Sequence, residues 1–409
     1  MKAKYFNILA VIAGLGFVIG LFGMADRITN GHLHTGYGSY VPWGLWVVFY
    51  LFFVGLTAGA FLITIMTYVF GVKRLKDYGS LSAFTVLIAL TCELIFVSLD
   101  LGHMFRIYRF FFTPNFSSMM TWFVIFTLVM LIIYLLECFF LIREKLVQWS
   151  LENRKGKAFY QALSLYKGDY TDEDRNRDYR IIRILSIISL PAGLLFYGTN
   201  GAFFAILQNR PIWNSAMTPL LFILAALLSG GALITFLIAV FQPDEEIVRI
   251  LGRTVFFILA VFILLEFIQF FVGYQTGMTS IVTSLDQIVS GPDWWTFWII
   301  HLLVGSLIPV LLFLCSPNST KAVTWACFLI VITFVAVRFN FLIPDLAVYK
   351  LEGLEKTFFH SRLRTQYAPS LNEWLVSIWI ISLGILAFIS GIRWLPILSS
   401  GKGGTDHVG

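Results

Sequence analysis

Charge is scarce in this 409-residue chain: Asp, Glu, Lys and Arg make up only 13% of it, against 58% hydrophobic residues and a mean hydropathy of +0.82. No soluble domain of this length can hide that much apolar surface in one core, so a water-soluble enzyme is excluded. Cysteine is equally sparse. The four present, Cys92, Cys138, Cys315 and Cys327, fall in long apolar runs, and none belongs to a C-x-x-C or C-x-x-C-H spacing. That argues against a disulfide framework, a zinc site, an iron–sulfur cluster or a c-type haem. Of the six histidines, His32, His34, His103, His301, His360 and His407, only His103 and His301 approach the apolar runs. A b-type haem held between two helices needs facing histidines inside spans, and this pair, at the outer ends of its runs, suits it poorly. The chain is therefore expected to hold no haem, iron–sulfur cluster or other metal of its own. The first apolar run follows Lys2 and Lys4 but lacks a small-x-small cleavage site, which makes it a retained span rather than a signal peptide.

What is abundant is the long apolar run itself. Ten are long enough to span a bilayer, roughly 5–24, 44–70, 81–102, 119–142, 181–205, 217–241, 251–273, 296–315, 322–343 and 373–392, which predicts an all-α integral membrane protein. The net charge of +6 would suggest nucleic acid in a soluble protein, yet the basic residues fall in alternate loops. With the amino terminus inside, inner loops and tails carry 20 of the 29 Lys and Arg and outer loops 8. The positive-inside rule then places both termini in the cytoplasm, and the charge reports topology, not a nucleic acid partner.

Against that background the stretch Glu93 to Arg109, E-L-I-F-V-S-L-D-L-G-H-M-F-R-I-Y-R, carries ionisable groups out of an apolar run. On a helix Glu93 and Asp100 fall within ~20° of one another, with His103 a further ~60° round, a file roughly 15 Å long. An ionised group at membrane depth costs several kcal/mol unless paired or watered, so such residues are by default site or pathway candidates. A buried carboxyl takes up protons closer to neutrality than a free one, and histidine titrates there unaided. Glu93, Asp100, Glu137, Glu266 and Arg338 are the charged residues inside spans; Glu137 is placed to pair with Arg143 or reach inner water, and Glu266 to neutralise Arg338. Together they are the candidate proton pathway.

At the outer end of that file, Tyr40, Trp43, His103, Arg106 and Tyr108, with His32 and His34 near them, form a candidate pocket for an amphipathic ring. Aromatics would stack on it, and His103 and Asp100, the candidate catalytic pair, would serve its carbonyl oxygens. A quinone headgroup fits, since its reduction needs protons delivered beside an electron donor. Trp46 is explained by an interfacial aromatic belt alone.

The runs also pair with one another. Leu56 and Gly59 in span two match Leu227 and Gly230 in span six at an offset of 171; Glu93 and Glu266, and Trp122 and Trp295, are each 173 apart. An F-x-x-x-N run ending at Asn200 closes span five, and Asn340, preceded by Phe339, closes span nine. This predicts two four-helix bundles related as parallel repeats, plus two flanking helices. The expected units are 1–40, a first span and outer loop; 41–205, a first bundle with inner loop 143–183; 206–343, a second bundle; and 344–409, an outer segment and last span. The inner loop carries ten basic residues and reads as a solvated, partly helical connector. The outer segment Pro344 to Asn372, with Tyr349, Glu352, Glu355, His360, Arg362 and Arg364, is a candidate seat for a partner.

On these residues the sequence resembles the NrfD/PsrC family, the membrane subunits of polysulfide-reductase-type respiratory complexes. The resemblance rests on Pro42-Trp43-Gly44-Leu45-Trp46, the small-residue run Gly55-Leu-Thr-Ala-Gly-Ala, the Asp100-Leu-Gly-His103 turn followed by Arg106, and the paired four-span units. It covers nearly the whole chain and is similar to the ten-span branch rather than the eight-span type. It implies a subunit of a quinone oxidoreductase complex in the cytoplasmic membrane of a bacterium or archaeon, with menaquinone or ubiquinone bound near the outer face and the redox metals in partner subunits. Those partners would be a ferredoxin-like iron–sulfur subunit on the outer face and, beyond it, a molybdopterin-type or multihaem cytochrome subunit. By resemblance Asp100, His103 and the start of span two form the quinone neighbourhood, and Glu93, Glu266 and Arg338 are candidates for proton conduction or coupling. Nothing in the chain sets the direction of electron flow. The rival reading is a secondary transporter, whose parallel repeats and midplane carboxylates would look similar, with Pro191 and Pro309 breaking spans five and eight; a membrane anchor without a site leaves Glu93 unexplained.

Overall fold

The computed structural model describes residues 3–151, 156–166, 168–349, 353, 356, 357, 360 and 363–398. Of the expected partner seat, Glu352, Glu355 and Arg362 lie outside the described residues, as does His407. In chain order the helices are α1 Ala3–Asn30, α2 Leu45–Leu56, α3 Ala58–Tyr68, α4 Gly79–Asp100, α5 Arg109–Phe112, α6 Met119–Leu151, α7 Lys157–Ser164, α8 Asp172–Ala205, α9 Met217–Phe241, α10 Glu245–Gln275 and α11 Thr279–Val289. A π-helical run Thr296–Leu307 then leads into α12 Ile308–Cys315, followed by α13 Thr320–Leu346 and α14 Leu371–Trp394. Taking α2 with α3, and the π run with α12, ten segments among the described residues are long and apolar enough to cross a membrane. The protein is a multi-pass, all-helical integral membrane protein, as its apolar runs require.

The span formed by α2 and α3 is the axis of the molecule. Its most apolar window is 94% buried by other helices, which is why Leu45–Leu56 reads as continuous apolar sequence with no polar face. Around it α4, α6 and α8 pack on one side, and α9, α10, α13 and the π run on the other; α1 lies along α14, which leans on α4. In lipid, helices associate through close backbone approach and not through the hydrophobic effect. Small residues mark those approaches. A Cβ on Gly59 would sit 2.8 Å from the Gly230 carbonyl oxygen, so the two glycines paired in the sequence lie against each other where α3 crosses α9. On α1, a Cβ at Gly20 would meet Leu375 O at 2.7 Å and one at Gly23 would meet Leu375 Cβ at 2.6 Å, so the glycine side of α1 seats α14 while Val11, Ile12, Leu15 and Phe22 point outward.

Helix ends follow from the local chemistry. Gly31, at φ +64°, closes α1 with its N–H on Arg27 O at 3.2 Å. Thr171 and Asp174 form a capping box that starts α8, Asp244 caps α10 through the N–H groups of Glu246 and Ile247, and Ser370 with Glu373 boxes the start of α14. Pro191 does not break its span: α8 runs through it from Asp172 to Ala205. Span eight is the irregular one, with a π-helical run immediately before Pro309. Wide π turns are uncommon and often accompany functional sites.

The connection 143–183 is less solvated than its composition suggests. Helix α6 extends to Leu151, and Arg143 is withdrawn from water to donate to Asp178 at 3.0 and 3.2 Å and to Ser164 O at 3.2 Å. Arg143 therefore pairs with α8 and not with Glu137. Below, this side of the molecule is the Arg143 face and the opposite one the Trp43 face.

Candidate functional site

On the Trp43 face a pocket of about 510 Å³ opens between α2, α4, α6 and α8, walled by Trp43, Tyr50, Phe96, Phe123 and Phe204, with Asp100 at its edge. Apart from Asp100 its walls are apolar, six of the eleven lining residues being aromatic and Val47, Val97, Leu101 and Met120 filling the rest. Asp100 is there because α4 ends on it: Leu101 turns extended, at φ −62° and ψ 130°, in an Asp-Leu-Gly sequence that does not continue a helix. Tyr37 donates its hydroxyl to Asp100 Oδ1 at 2.7 Å. From the end of α1, Arg27 reaches over Trp46 and donates to the exposed carbonyls of Leu99 and Leu101, both at 2.7 Å. It thereby caps α4 and sets a cation beside the carboxyl. His32 completes the group, its ring 5.3 Å from Tyr37 and 5.8 Å from Trp46.

The loop that brings Tyr37 to Asp100 is tied down from the other end of the chain. Glu373, with none of its surface exposed, accepts from Gly36 N at 2.9 Å, Leu45 N at 3.1 Å, Ser370 N at 2.9 Å and Tyr367 hydroxyl at 2.5 Å. Four donors to one carboxylate make a strong charge-assisted anchor. Burial first, and then the Asp100 charge, push the Tyr37 phenol well above its ordinary value, so it stays a donor at any working pH. Burial, reinforced by Arg27, lowers the His32 imidazole from its usual 6.5.

Of the residues singled out from sequence, Trp43 and Asp100 come together in this pocket. Tyr40 is buried elsewhere, edge-on to Tyr349 at 5.1 Å. His103, Arg106 and Tyr108 do not join it. Because α4 stops at Asp100, His103 leaves the helix face that a continuing helix would have given it, and all three lie exposed at the surface. Tyr37, Arg27 and Tyr50 were not among the candidates. Arg27, a lone cation ending an apolar run, carried a usable signal; Tyr37 sits in a glycine-rich loop whose pattern says nothing of its partner.

Deeper in the same set of helices, Glu93 is fully buried, with Thr127 Oγ1 at 3.5 Å from Oε1 and no partner for Oε2. Tyr50 donates to Asn200 Oδ1 at 3.2 Å, and Tyr197 and Thr57 share a hydrogen bond of 3.1 Å where α2 passes into α3. Tyr134 lies one turn before Glu137, which accepts from Ser186 at 2.6 Å. Glu137 lines a second pocket of about 610 Å³ that faces Lys76 and Tyr179 on the Arg143 side. Asp100, Glu93 and Glu137 are thus strung along one polar file. Glu266 stands apart from it, whereas Arg338 reaches back to α2, where a Cβ on Gly55 would lie 3.5 Å from its Nη2. Glu266 Oε2 faces His301 Nε2 at 3.3 Å, not Arg338, whose guanidinium lies over Phe222 at 4.7 Å and Phe334 at 5.4 Å. Among the described residues no group of three His, Cys, Asp or Glu is arranged to hold a metal ion.

With this geometry in place, comparison with known proteins is informative. The chain is 30% identical to a selenate reductase subunit of Mesobacillus selenatarsenatis, over 98% of this chain and 96% of that one. It is 23% identical to the Hdr-like menaquinol oxidoreductase integral membrane subunit of Archaeoglobus fulgidus, over 96% and 92% of the two chains. It is also 21% identical to the menaquinone reductase integral membrane subunit of Nitratidesulfovibrio vulgaris, over 92% and 88%. Residues 34–350 match the family described as Polysulphide reductase, NrfD, a stretch that runs from the Tyr37 loop through α13, and the chain belongs to that family.

Proposed function

We propose that this protein is the quinone-exchanging membrane subunit of a respiratory oxidoreductase complex, passing electrons between the quinone pool and an iron–sulfur partner docked on the Trp43 face. The observation that carries the reading is the aromatic pocket with a carboxyl at its edge, held by a tyrosine and flanked by an arginine. A flat amphipathic ring needs apolar walls for its faces and hydrogen-bonding groups at its carbonyl edge, and Trp43, Phe123 and Phe204 are such walls beside Asp100. A quinone, when bound, supplies reversible two-electron, two-proton chemistry. Asp100 Oδ and the Tyr37 hydroxyl would hold and hand over protons at the ring edge, and the Arg27 cation beside them would favour return of Asp100 to its carboxylate after each transfer. The relatives named for menaquinol and menaquinone favour menaquinone as the ligand.

The redox metals belong in this reading to partner subunits. A broad, half-polar cleft on the Trp43 face, lined by Tyr37, Asp293, Tyr349, Arg364 and Gln366 among others, is the seat this reading gives the iron–sulfur subunit. A molybdopterin-type or multihaem subunit would lie beyond it. The excess of basic residues in alternate loops supports a cytoplasmic Arg143 face and an outer Trp43 face. Protons would then move along Asp100, Glu93 and Glu137, with Tyr50, Tyr197 and Tyr134 between them, towards the Arg143-face pocket; buried ionisable groups in a file are the ordinary material of such relays. Asp100→Asn tests the proposal: the complex should assemble at normal abundance and lose quinol-linked turnover. Normal turnover with Asn at this position would remove the pocket from the reaction.

A further inference from the structure

The Asp100 pocket has a counterpart across the molecule that the reading above does not use. Between α9, α10, α11, α13 and the π run lies a cavity of about 740 Å³. Its walls include Phe262, Phe270, Phe297 and Phe341, with Phe270 and Phe297 stacked at 5.2 Å and 11° into one flat side. Three polar side chains of α13 line it and are all but sealed from solvent, Arg338 at 3%, Asn340 at 6% and Asp345 at 2% exposure. Each leaves hydrogen-bonding atoms without a partner: Arg338 Nε and Nη2, Asn340 Nδ2 and Asp345 Oδ2. The Asn340 amide is oriented by Thr296, which donates to Oδ1 at 2.5 Å and so leaves the Nδ2 donors free. A guanidinium withdrawn from water with two idle donors is costly unless something in the cavity accepts from it.

We propose that this cavity is a second binding site for a lipid-soluble quinone-class ring, with Arg338 and Asn340 donating to its carbonyl oxygens. The ligand's class rests on the reading of the Asp100 pocket, but the two cavities share no lining residue. Aromatic walls match the ring faces; donors grouped on one helix match a carbonyl edge; Glu266, set 3.3 Å from His301 on the far wall, faces the ring across the cavity. The two pockets stand back to back, divided by aromatic side chains: Phe204 of the first contacts Phe341 at 5.2 Å and Phe222 at 5.6 Å in the second. The π-helical run supports the same placement, since its wide turn is what carries His301 and Thr296 towards α13.

The test is a count of bound quinone in the intact complex. The complex is purified in mild detergent and titrated with a short-chain naphthoquinone, and ligand per chain is measured by solvent extraction and mass spectrometry. Two equivalents are expected. Leu221→Trp, which fills the second cavity, and Val97→Phe, which fills the Asp100 pocket, should each leave one; Arg338→Gln, which removes the guanidinium without filling the cavity, should weaken the second equivalent about tenfold or more, as loss of a charged donor does. One equivalent in the native chain, lost in Val97→Phe and kept in Leu221→Trp and Arg338→Gln, would overturn this proposal and leave the Asp100 reading standing. Two equivalents in all the variants would overturn both, and so would none in any chain.

Discussion

Replacing Tyr37 by Phe removes one hydroxyl and nothing else from the pocket edge, and the structure gives the size of the expected effect. The hydroxyl donates to Asp100 Oδ1 at 2.7 Å, and a hydrogen bond to a charged group contributes ~1.5–3 kcal/mol. If that contact positions the carboxyl for proton exchange, quinol-linked turnover falls roughly ten- to hundredfold, at about 1.4 kcal/mol per factor of ten. Arg27 remains on the Leu99 and Leu101 carbonyls, and Glu373 still pins the loop through Gly36 and Leu45, so the chain should assemble normally. The assay is steady-state turnover of membranes bearing the whole complex, normalised to the abundance of this chain. The double-mutant cycle sharpens it: in an Asp100→Asn background the Tyr37→Phe change should cost little further, because the two groups act as one unit. A Tyr37→Phe enzyme within twofold of native turnover, or the same loss in both backgrounds, would refute the assignment of Tyr37 and Asp100 to one function.

Other outcomes follow from the same structure. Glu93→Gln should uncouple proton uptake at the Arg143 face from quinone turnover, read as proton translocation per electron in vesicles; an unchanged ratio would make Glu93 a packing residue. Arg143→Ala leaves buried Asp178 with the Tyr170 hydroxyl at 2.7 Å and the exposed Arg177 at 3.5 Å and should destabilise the solubilised chain by ~1–3 kcal/mol, seen as a lowered melting temperature, with double replacement of both partners milder. Gly20→Leu forces a side chain into Trp379 and the Leu375 carbonyl and should loosen α1 from α14, measured by protease sensitivity of the amino-terminal span, at a cost of ~1–3 kcal/mol. His32 gives a pH signature. Its imidazole is held below 6.5 in the fold, so the unfolded chain takes up the proton first. Stability is complete above that value and is lost as pH falls towards the lowered folded value. Melting temperature should drop between about pH 7 and pH 5, less so in His32→Gln; a flat difference between the two would contradict the burial of His32.

The membrane class and the ten spans were legible because apolar length is a one-dimensional property: nothing about the fold is needed to see that Leu45–Tyr68 or Met217–Phe241 must cross a bilayer. Gly59 and Gly230 stand out in the sequence as matching positions of a repeat, which says nothing of contact; that they lie against each other is the structure's addition. Asp100 and Trp43 were found because a carboxyl inside an apolar run and a tryptophan at its edge are local anomalies. The helical period sets His103 on the Asp100 face only if α4 continues, and Leu101 turns extended instead; Arg106 and Tyr108, expected beside His103 at the outer end, follow it to the surface. Tyr37 and Glu373 escaped notice because their partners are 63 and up to 337 residues away, a relation that no periodicity encodes. The Glu266–Arg338 pair expected from depth alone is replaced by Glu266–His301, because a π-helical run turns His301 inward where an α-helical count would not.

The most direct test of the account is to label the intact complex with a photoreactive azidoquinone, with and without excess unlabelled quinone, and to map the modified peptides of this chain. Competed label is expected in Trp43–Tyr50, in Phe96–Leu101 or in Met120–Phe123, the segments that wall the Asp100 pocket. Absence of competed label from all three, in a complex that still turns over quinol, would contradict the assignment of quinone exchange to that pocket.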